Sequence, residues 1–222
     1  YNIPGNIYLN EDIDIGCFKC AIDSTLDRHE ILRTVFKADE NGDIKQWILS
    51  REALGFEIDC KDFRNEKNKG KKVKEYIAAD SYKVFDLEQG PLLRASLFQV
   101  ENKGYVFYFN MHHIISDGWS MEVLSKDVLS YYKAYKENKK PSLKELRIQY
   151  KDYSAWQLSQ LEKESFHSHR GYWLESLSGE LPLLELPSIK QRPRIKTYNG
   201  HGLSTFIDSR TTGKLKKYSE AN

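Results

Sequence analysis

The sequence predicts an α/β chain with a mixed β-sheet flanked by helices. Three observations carry this. Short runs rich in β-branched and aromatic residues alternate with stretches of helical apolar spacing. Two of the runs, 92–100 and 105–111, are close enough to form a hairpin, whereas others are separated by helices. The chain has 222 residues, of which 40% are hydrophobic and 30% charged, enough apolar material to bury a sizeable core.

The elements follow in order. Asp14 is placed to cap a helix whose apolar residues Ile15, Phe18, Ile22 and Leu26 recur at helical spacing; it ends near Arg28-His29. Leu32 to Lys37 reads as a strand, Asn41-Gly42 as a tight turn and Lys45 to Leu49 as the returning strand. Phe56 to Asp59 reads as a further short strand, and 73–82 as a helix. Gly90-Pro91 breaks the chain before the strand Leu92 to Val100. Tyr105 to Met111, richly aromatic, reads as a strand buried on both faces. His112 to Gly118 is then a loop, and Trp119 to Asn138 an amphipathic helix capped by Asp117 or Ser120. Residues 149–162 and 167–177 read as two more helices. Prolines at 182, 187 and 193 mark a linker. Leu203 to Ile207 reads as a strand, and a last helix starts at Thr211. The domain reading is a lobe over 1–180, a linker over 181–196 and the beginning of a second, truncated lobe over 197–222.

Composition excludes several function classes. The 34 basic and 32 acidic side chains nearly cancel, so no electrostatic footprint for nucleic acid is visible. Lysine clusters at 67–74 and 133–140 read as solvated faces, with docking of an acidic partner as the alternative. Three cysteines make no disulfide scaffold, and Cys17 and Cys20, a C-x-x-C with no second pair, read as ordinary packing. No signal peptide and no apolar run of about 20 residues is seen. The expectation is a cytoplasmic protein with no membrane partner.

One segment concentrates reactive groups: Met111-His112-His113-Ile114-Ile115-Ser116-Asp117-Gly118. Histidine suits proton transfer near neutral pH, and a loop at the end of a buried strand fixes the ring while leaving it accessible. Neighbouring side chains of an extended chain point in opposite directions. His112 and His113 therefore divide into one structural and one chemical residue. Asp117 can hold the loop through an ion pair or backbone hydrogen bonds, and Gly118 permits a tight bend and close approach of a substrate. A buried, hydrogen-bonded core pair of histidines is the competing structural reading. A metal site needs ligands that no second cluster supplies, so no metal is expected, and a serine triad lacks its G-x-S-x-G elbow. In a second stretch, Arg28 to Phe36, Arg33 alternates with Leu32 on the expected strand. A buried arginine wants a carboxylate, and Asp117 is the natural candidate.

These stretches resemble the motifs of the condensation domains of nonribosomal peptide synthetases. MHHIISDGWS at 111–120 resembles the family's central H-H-x-x-x-D-G motif without departure. DRHEILRTVF at 27–36 is similar to its preceding R-H-E-x-L-R-T-x-F motif, and YKDYSAW at 150–156 to its following Y-x-D-F/Y-x-x-W motif. Tyr1 to Gly5 resembles the segment just after the family's first motif. The resemblance implies the first half of a two-lobed, V-shaped domain of chloramphenicol acetyltransferase-like fold.

The implied reaction is peptide bond formation. The amine of a carrier-bound aminoacyl acceptor attacks a carrier-bound aminoacyl or peptidyl thioester, and the Asp-Gly-Trp-Ser ending resembles the branch joining an L-donor to an L-acceptor. The resemblance gives His113 the reactive role, as base or as the group that orients the amine. His112 is supportive, Asp117 anchors the loop by pairing with Arg33 or Arg28, and the Gly118 N–H lies near the reacting carbonyl. Tyr150, Asp152, Trp156 and Trp173 are implied to pack and position. No cofactor is bound directly; the phosphopantetheine arms of donor and acceptor peptidyl carrier domains act as substrates, and an adenylation domain adjoins. The chain alone is expected to be inactive. The alternatives are an acyltransferase of the same fold using acyl-coenzyme A, and a non-catalytic recruitment module.

Overall fold

The computed structural model describes residues 1–10, 12–182, 187, 193–195, 197, 203 and 205–221. It divides into two compact units, Tyr1–Arg170 and Gly171–Asn222.

The first unit is built on a four-stranded sheet. Its strands are β1 (Asn2–Leu9), β4 (Asp59–Asp62), β5 (Leu93–Glu101) and β6 (Gly104–His112), in the order β1-β6-β5-β4. β6 is antiparallel to both neighbours and β4 runs parallel to β5, so the sheet is mixed, as expected. A separate hairpin joins β2 (Thr34–Ala38) and β3 (Ile44–Ile48). Its turn is held by Asp39, whose Oδ1 accepts from the N–H groups of Asn41 (2.9 Å) and Asp43 (3.0 Å), and Gly42 takes the left-handed φ of 85° that favours glycine.

Period-two alternation gives β5 and β6 two buried faces. Leu93, Ala95, Leu97, Tyr105 and Met111 join the larger core under α1 (Ile15–Arg28) and α4 (Gly118–Lys136). Phe98, Val106 and Tyr108 meet Val73, Tyr76 and Ile77 of α3 (Lys69–Ser81) on the opposite face. The expectation that this strand is buried on both sides therefore holds.

α1 and α4 lie side by side. The Asp14 carboxylate caps α1 by accepting from the Cys17 N–H at 2.8 Å, and Ser24 Oγ meets Tyr135 Oη at 2.6 Å. At the far end of α1, Asp127 Oδ2 accepts from Arg28 Nε at 2.8 Å and meets His29 Nε2 at 2.7 Å. Asp127 is buried. Gln149 then ties α5 (Tyr150–Leu161) to the same corner: its Nε2 donates to the Arg28 carbonyl at 2.9 Å and its Oε1 accepts from the Glu30 N–H at 3.2 Å.

Several expectations shift. The strand expected from Leu32 begins at Thr34, because Glu30–Arg33 forms a 3-10 turn. Within it Arg33 folds back, its Nε donating to the Leu26 carbonyl at 2.9 Å and its Nη1 to the Leu49 carbonyl. The strand expected over 56–59 lies at 59–62; Phe56 and Ile58 are buried in the loop leading to it. β1 and the single-turn α2 (Arg51–Leu54) were not expected. β1 is an edge strand, which tolerates Pro4. Gly5 faces Phe109, whose ring would lie 2.3 Å from a Cβ at that position, so only glycine fits under it.

The second unit contains the end of α6 (Glu164–Ser176) and α7 (Ser209–Ala221), the expected last helix. Asp208 caps α7, accepting from the Thr211 N–H at 2.9 Å. Leu203 and 205–207 form no strand, contrary to expectation; Ser204 lies outside the described residues, as does most of the expected linker. Cys17 is half-buried, and Cys20 and Cys60 are exposed free thiols, so packing explains Cys17 better than Cys20. No helix of the described residues is long and apolar enough to cross a membrane.

Asp127 holds a guanidinium and an imidazole in a buried corner, and truncating it removes the carboxylate both share, leaving Arg28 only the Lys144 carbonyl. Asp127→Ala is expected to cost about 3 kcal/mol in urea denaturation, with Asp127→Asn costing less because an acceptor remains. An unchanged midpoint for Asp127→Ala would refute the clamp.

Candidate active site

The histidine segment leaves the buried end of β6. The His112 N–H donates to the Leu92 carbonyl at 2.9 Å and the His113 N–H to the Tyr1 carbonyl at 2.8 Å, so the residues just before both neighbouring strands hold the exit. His112 points to the α3 side, where its ring stands edge-on to buried Phe85, centroids 6.2 Å apart. His113 is exposed. The two rings therefore separate as expected, and the reading of both as sealed core histidines fails.

The His112 Nδ1 accepts from the Ile114 N–H at 3.1 Å. An acceptor nitrogen carries no proton, so a neutral His112 holds its hydrogen on Nε2. Burial lowers the His112 pKa from its ordinary value, with a smaller contribution from His113. His112 thus closes a turn as a neutral ring. Ile115 and Ser116, both buried, anchor the middle of the loop.

Asp117 is the N-cap of α4. Its Oδ1 accepts from the Ser120 N–H at 2.8 Å and the Ser120 hydroxyl at 2.6 Å. These bonds, with a smaller contribution from His113, hold its carboxyl below the usual range. The expected pairing with Arg33 or Arg28 does not form: Arg33 is bound to two carbonyls and Arg28 to Asp127. A helix N-terminus offers Asp117 unpaired N–H donors within its own turn, which an arginine elsewhere cannot match. The Gly118 backbone is helical, so the expected tight bend is not what requires glycine, and a Cβ there would meet no atom of the chain within 4 Å. Among the described residues the Gly118 N–H has no acceptor, as befits the first residue of a helix.

His113, Asp117 and Gly118 are thus brought together on one loop, with His112 beneath it. The other expected positioning residues lie elsewhere. Arg28 and Arg33 brace the end of α1. Asp152 caps α5, accepting from the Gln149 N–H at 2.8 Å. Tyr150, Trp156 and Trp173 are exposed rather than packed; the first two lie on the outer face of α5, with Tyr153 between them, its ring centroid 5.9 Å from Tyr150 and 5.6 Å from Trp156. Asp127 was missed. Its signal was an acid set among Leu124, Val128 and Tyr131 on the apolar side of a helix, with an Arg-His pair elsewhere needing a carboxylate. Among the described residues no group of three or more His, Cys, Asp or Glu side chains could hold a metal ion.

Comparison with known proteins settles the family. The condensation domain family model matches residues 1–222. The chain is a member of the condensation domain family. It is 37% identical over 222 residues to one of the linear gramicidin synthase proteins of Brevibacillus parabrevis, covering 99% of this chain and 3% of that protein. It is 33% identical over 222 residues to bacitracin synthase 3 of Bacillus licheniformis, covering 100% of this chain and 3% of that protein. The starter condensation domain of rhizomide synthetase RzmA superposes with a TM-score of 0.74 at 21% identity, covering 80% of this chain and 42% of that one. The chain thus spans under a tenth of these synthases and about two fifths of the solved domain, and its fold is that of the matched part of the solved domain.

Two outcomes test the loop. Asparagine caps helices as well as aspartate does, so Asp117→Asn should leave thermal melting nearly unchanged, while Asp117→Ala lowers the midpoint by about 2–4 °C; the reverse order would refute the cap. A His112 pKa lowered by folding means the unfolded chain takes up the proton first. The stability advantage of wild type over His112→Gln should hold above pH 6.5, the ordinary value, and shrink as the pH falls below it. An advantage that grows on acidification would contradict the neutral turn.

Proposed function

We propose that this chain supplies the histidine-bearing lobe of an enzyme that joins two carrier-bound aminoacyl groups by a peptide bond, with an L-donor and an L-acceptor. The observation that carries the reading is the exposed His113 ring at the end of a strand held on both edges, beside a capped helix N-terminus. The donor thioester is already activated, so no covalent enzyme intermediate is needed. The acceptor amine attacks the thioester carbonyl, the C–N bond forms, the C–S bond breaks, and the phosphopantetheine thiol leaves with a proton.

In that reaction His113 accepts the proton of the attacking amine or orients the amine by a hydrogen bond. The unpaired Gly118 N–H and the positive end of α4 favour negative charge developing on the carbonyl oxygen. Asp117 commits its carboxylate to the helix cap and takes no part in proton transfer. The phosphopantetheine arms of donor and acceptor carrier domains are the substrates' handles, and an adenylation domain loads them. The lobe read over residues 1–180 carries the histidine loop, and the compact unit that holds this loop runs from Tyr1 to Arg170.

One observation favours a second reading. An apolar cavity of about 270 Å³ lies between the sheet and helices α1 and α4, with Met111 and Met121 in its wall. It suits a donor with a hydrocarbon chain, and a starter condensation domain of this fold has been solved in complex with C8-CoA. Offering aminoacyl-carrier and acyl-coenzyme A donors in competition separates the two.

His113→Ala, assayed in the full-length protein with loaded carriers, is expected to reduce peptide formation by about 10²–10⁴-fold while leaving thermal melting unchanged, because the ring is exposed. Undiminished dipeptide yield would remove His113 from the reaction.

A further inference from the structure

The α3 side of the sheet carries a polar network that the reaction does not use directly, and it ends at His112. Its centre is Asp80, the next-to-last residue of α3. One carboxylate oxygen accepts from Arg94 Nε at 2.7 Å; the other accepts from the Tyr108 hydroxyl at 2.9 Å and from Asn110 Nδ2 at 3.2 Å. Burial pushes the Tyr108 hydroxyl up to about 12, so it stays a proton donor at any ordinary pH. Arg94 Nη2 donates to the carbonyl oxygens of Asp80 (3.1 Å) and Lys83 (2.9 Å). Asn2 Nδ2 donates to the carbonyls of Ser81 (2.8 Å) and Lys83 (3.0 Å), joining β1 to the same group. Arg94 and Asn110 are cross-strand partners on β5 and β6, so the network spans the sheet just before His112.

Held this way, the Arg94 guanidinium lies against the face of Phe85, its central carbon 3.8 Å from the ring centroid. A cation over an aromatic face is favourable, the more so when both are partly desolvated. The Phe85 ring in turn meets His112 at 87°. In this arrangement the His112 Nδ1 receives the Ile114 N–H, closing the turn from which the exposed His113 projects.

We infer that Phe85, Arg94 and Asp80 are positioning residues for condensation, fixing His112 in the orientation and tautomer that set the His113 loop. This rests on the catalytic reading of His113, and goes beyond it by assigning a role to residues well upstream of the motif, on the far face of the sheet. They touch no reacting atom; they act through His112. Misplacing a reactive group by a fraction of an ångström lowers turnover more than it lowers binding, so the signature is a fall in kcat at constant KM.

The test uses Arg94→Met, which keeps the aliphatic stem and removes the cation, and Arg94→Lys, which restores a charge over Phe85 and toward Asp80. In the full-length protein, Arg94→Met is expected to lower kcat roughly ten- to a hundredfold with KM for both carrier-bound substrates unchanged, and Arg94→Lys to recover most of it. ¹⁵N spectra of the His112 ring should show the Nε2–H form in wild type and a mixture of tautomers in Arg94→Met. Leu54→Ala, a core truncation away from the loop, controls for lost stability. Wild-type kcat in folded Arg94→Met, an unmoved His112 spectrum, or an equal kcat loss in Leu54→Ala at matched melting temperature would each overturn the inference. Because the ¹⁵N spectrum needs no turnover, it stands whether or not His113→Ala is silent, and the two failures can be told apart.

Discussion

The structure depends on β6 being buried on both faces. Tyr105 and Met111 fill the core beneath α1 and α4, while Val106 and Tyr108 fill the one beneath α3. A strand with a side-chain period of two cannot slip by one residue without moving every one of these groups to the wrong layer. The register that satisfies both cores therefore also decides which histidine is which. His112 is committed to the α3 side, and His113, one residue on, is exposed in the turn where the strand ends. The chemistry of the loop is set by hydrophobic packing several residues upstream.

Local backbone demands then settle the charged residues. The start of α4 needs acceptors for its free N–H groups, and Asp117 meets that need from within its own turn. Arg28 and His29 of the second motif, tucked into a buried corner, need a carboxylate, and Asp127, further along the same helix, meets it. Asp117 is used within its own turn, whereas Asp127 serves residues distant in the chain. Both carboxylates are thereby committed to the scaffold: Asp117 caps α4, and Asp127 braces α1 against α4.

Much of this was legible in the sequence because the signals were local and strong. Asp14 before Ile15, Phe18 and Ile22 announced α1; the aromatic run from Tyr105 announced a doubly buried strand; and the H-H-x-x-x-D-G loop, with its two companion motifs, announced the family and the separation of its two rings. What escaped had weak local signals. β1 contains Asn2, Pro4, Gly5 and Asn6, poor strand formers that an edge position and the Phe109 ring accommodate. Arg33 alternates like a strand residue, yet two carbonyl acceptors fold it into a turn. The Asp127 clamp joins residues about a hundred positions apart, and the Phe85–Arg94–Asp80 group draws on a loop, a strand and a helix end. Pairings of that kind follow from the sheet order, which spacing along the chain does not display.

One imidazole faces solvent, where the proposed reaction would use it, while its neighbour packs beneath it on Phe85. Carbethoxylation with diethyl pyrocarbonate, followed by peptide mass spectrometry on the full-length protein, measures this directly because the reagent attacks an accessible unprotonated ring nitrogen. His113 should be modified rapidly and His112 slowly, and loaded carrier domains should protect His113. Faster labelling of His112 than of His113 would contradict the assignment of both rings.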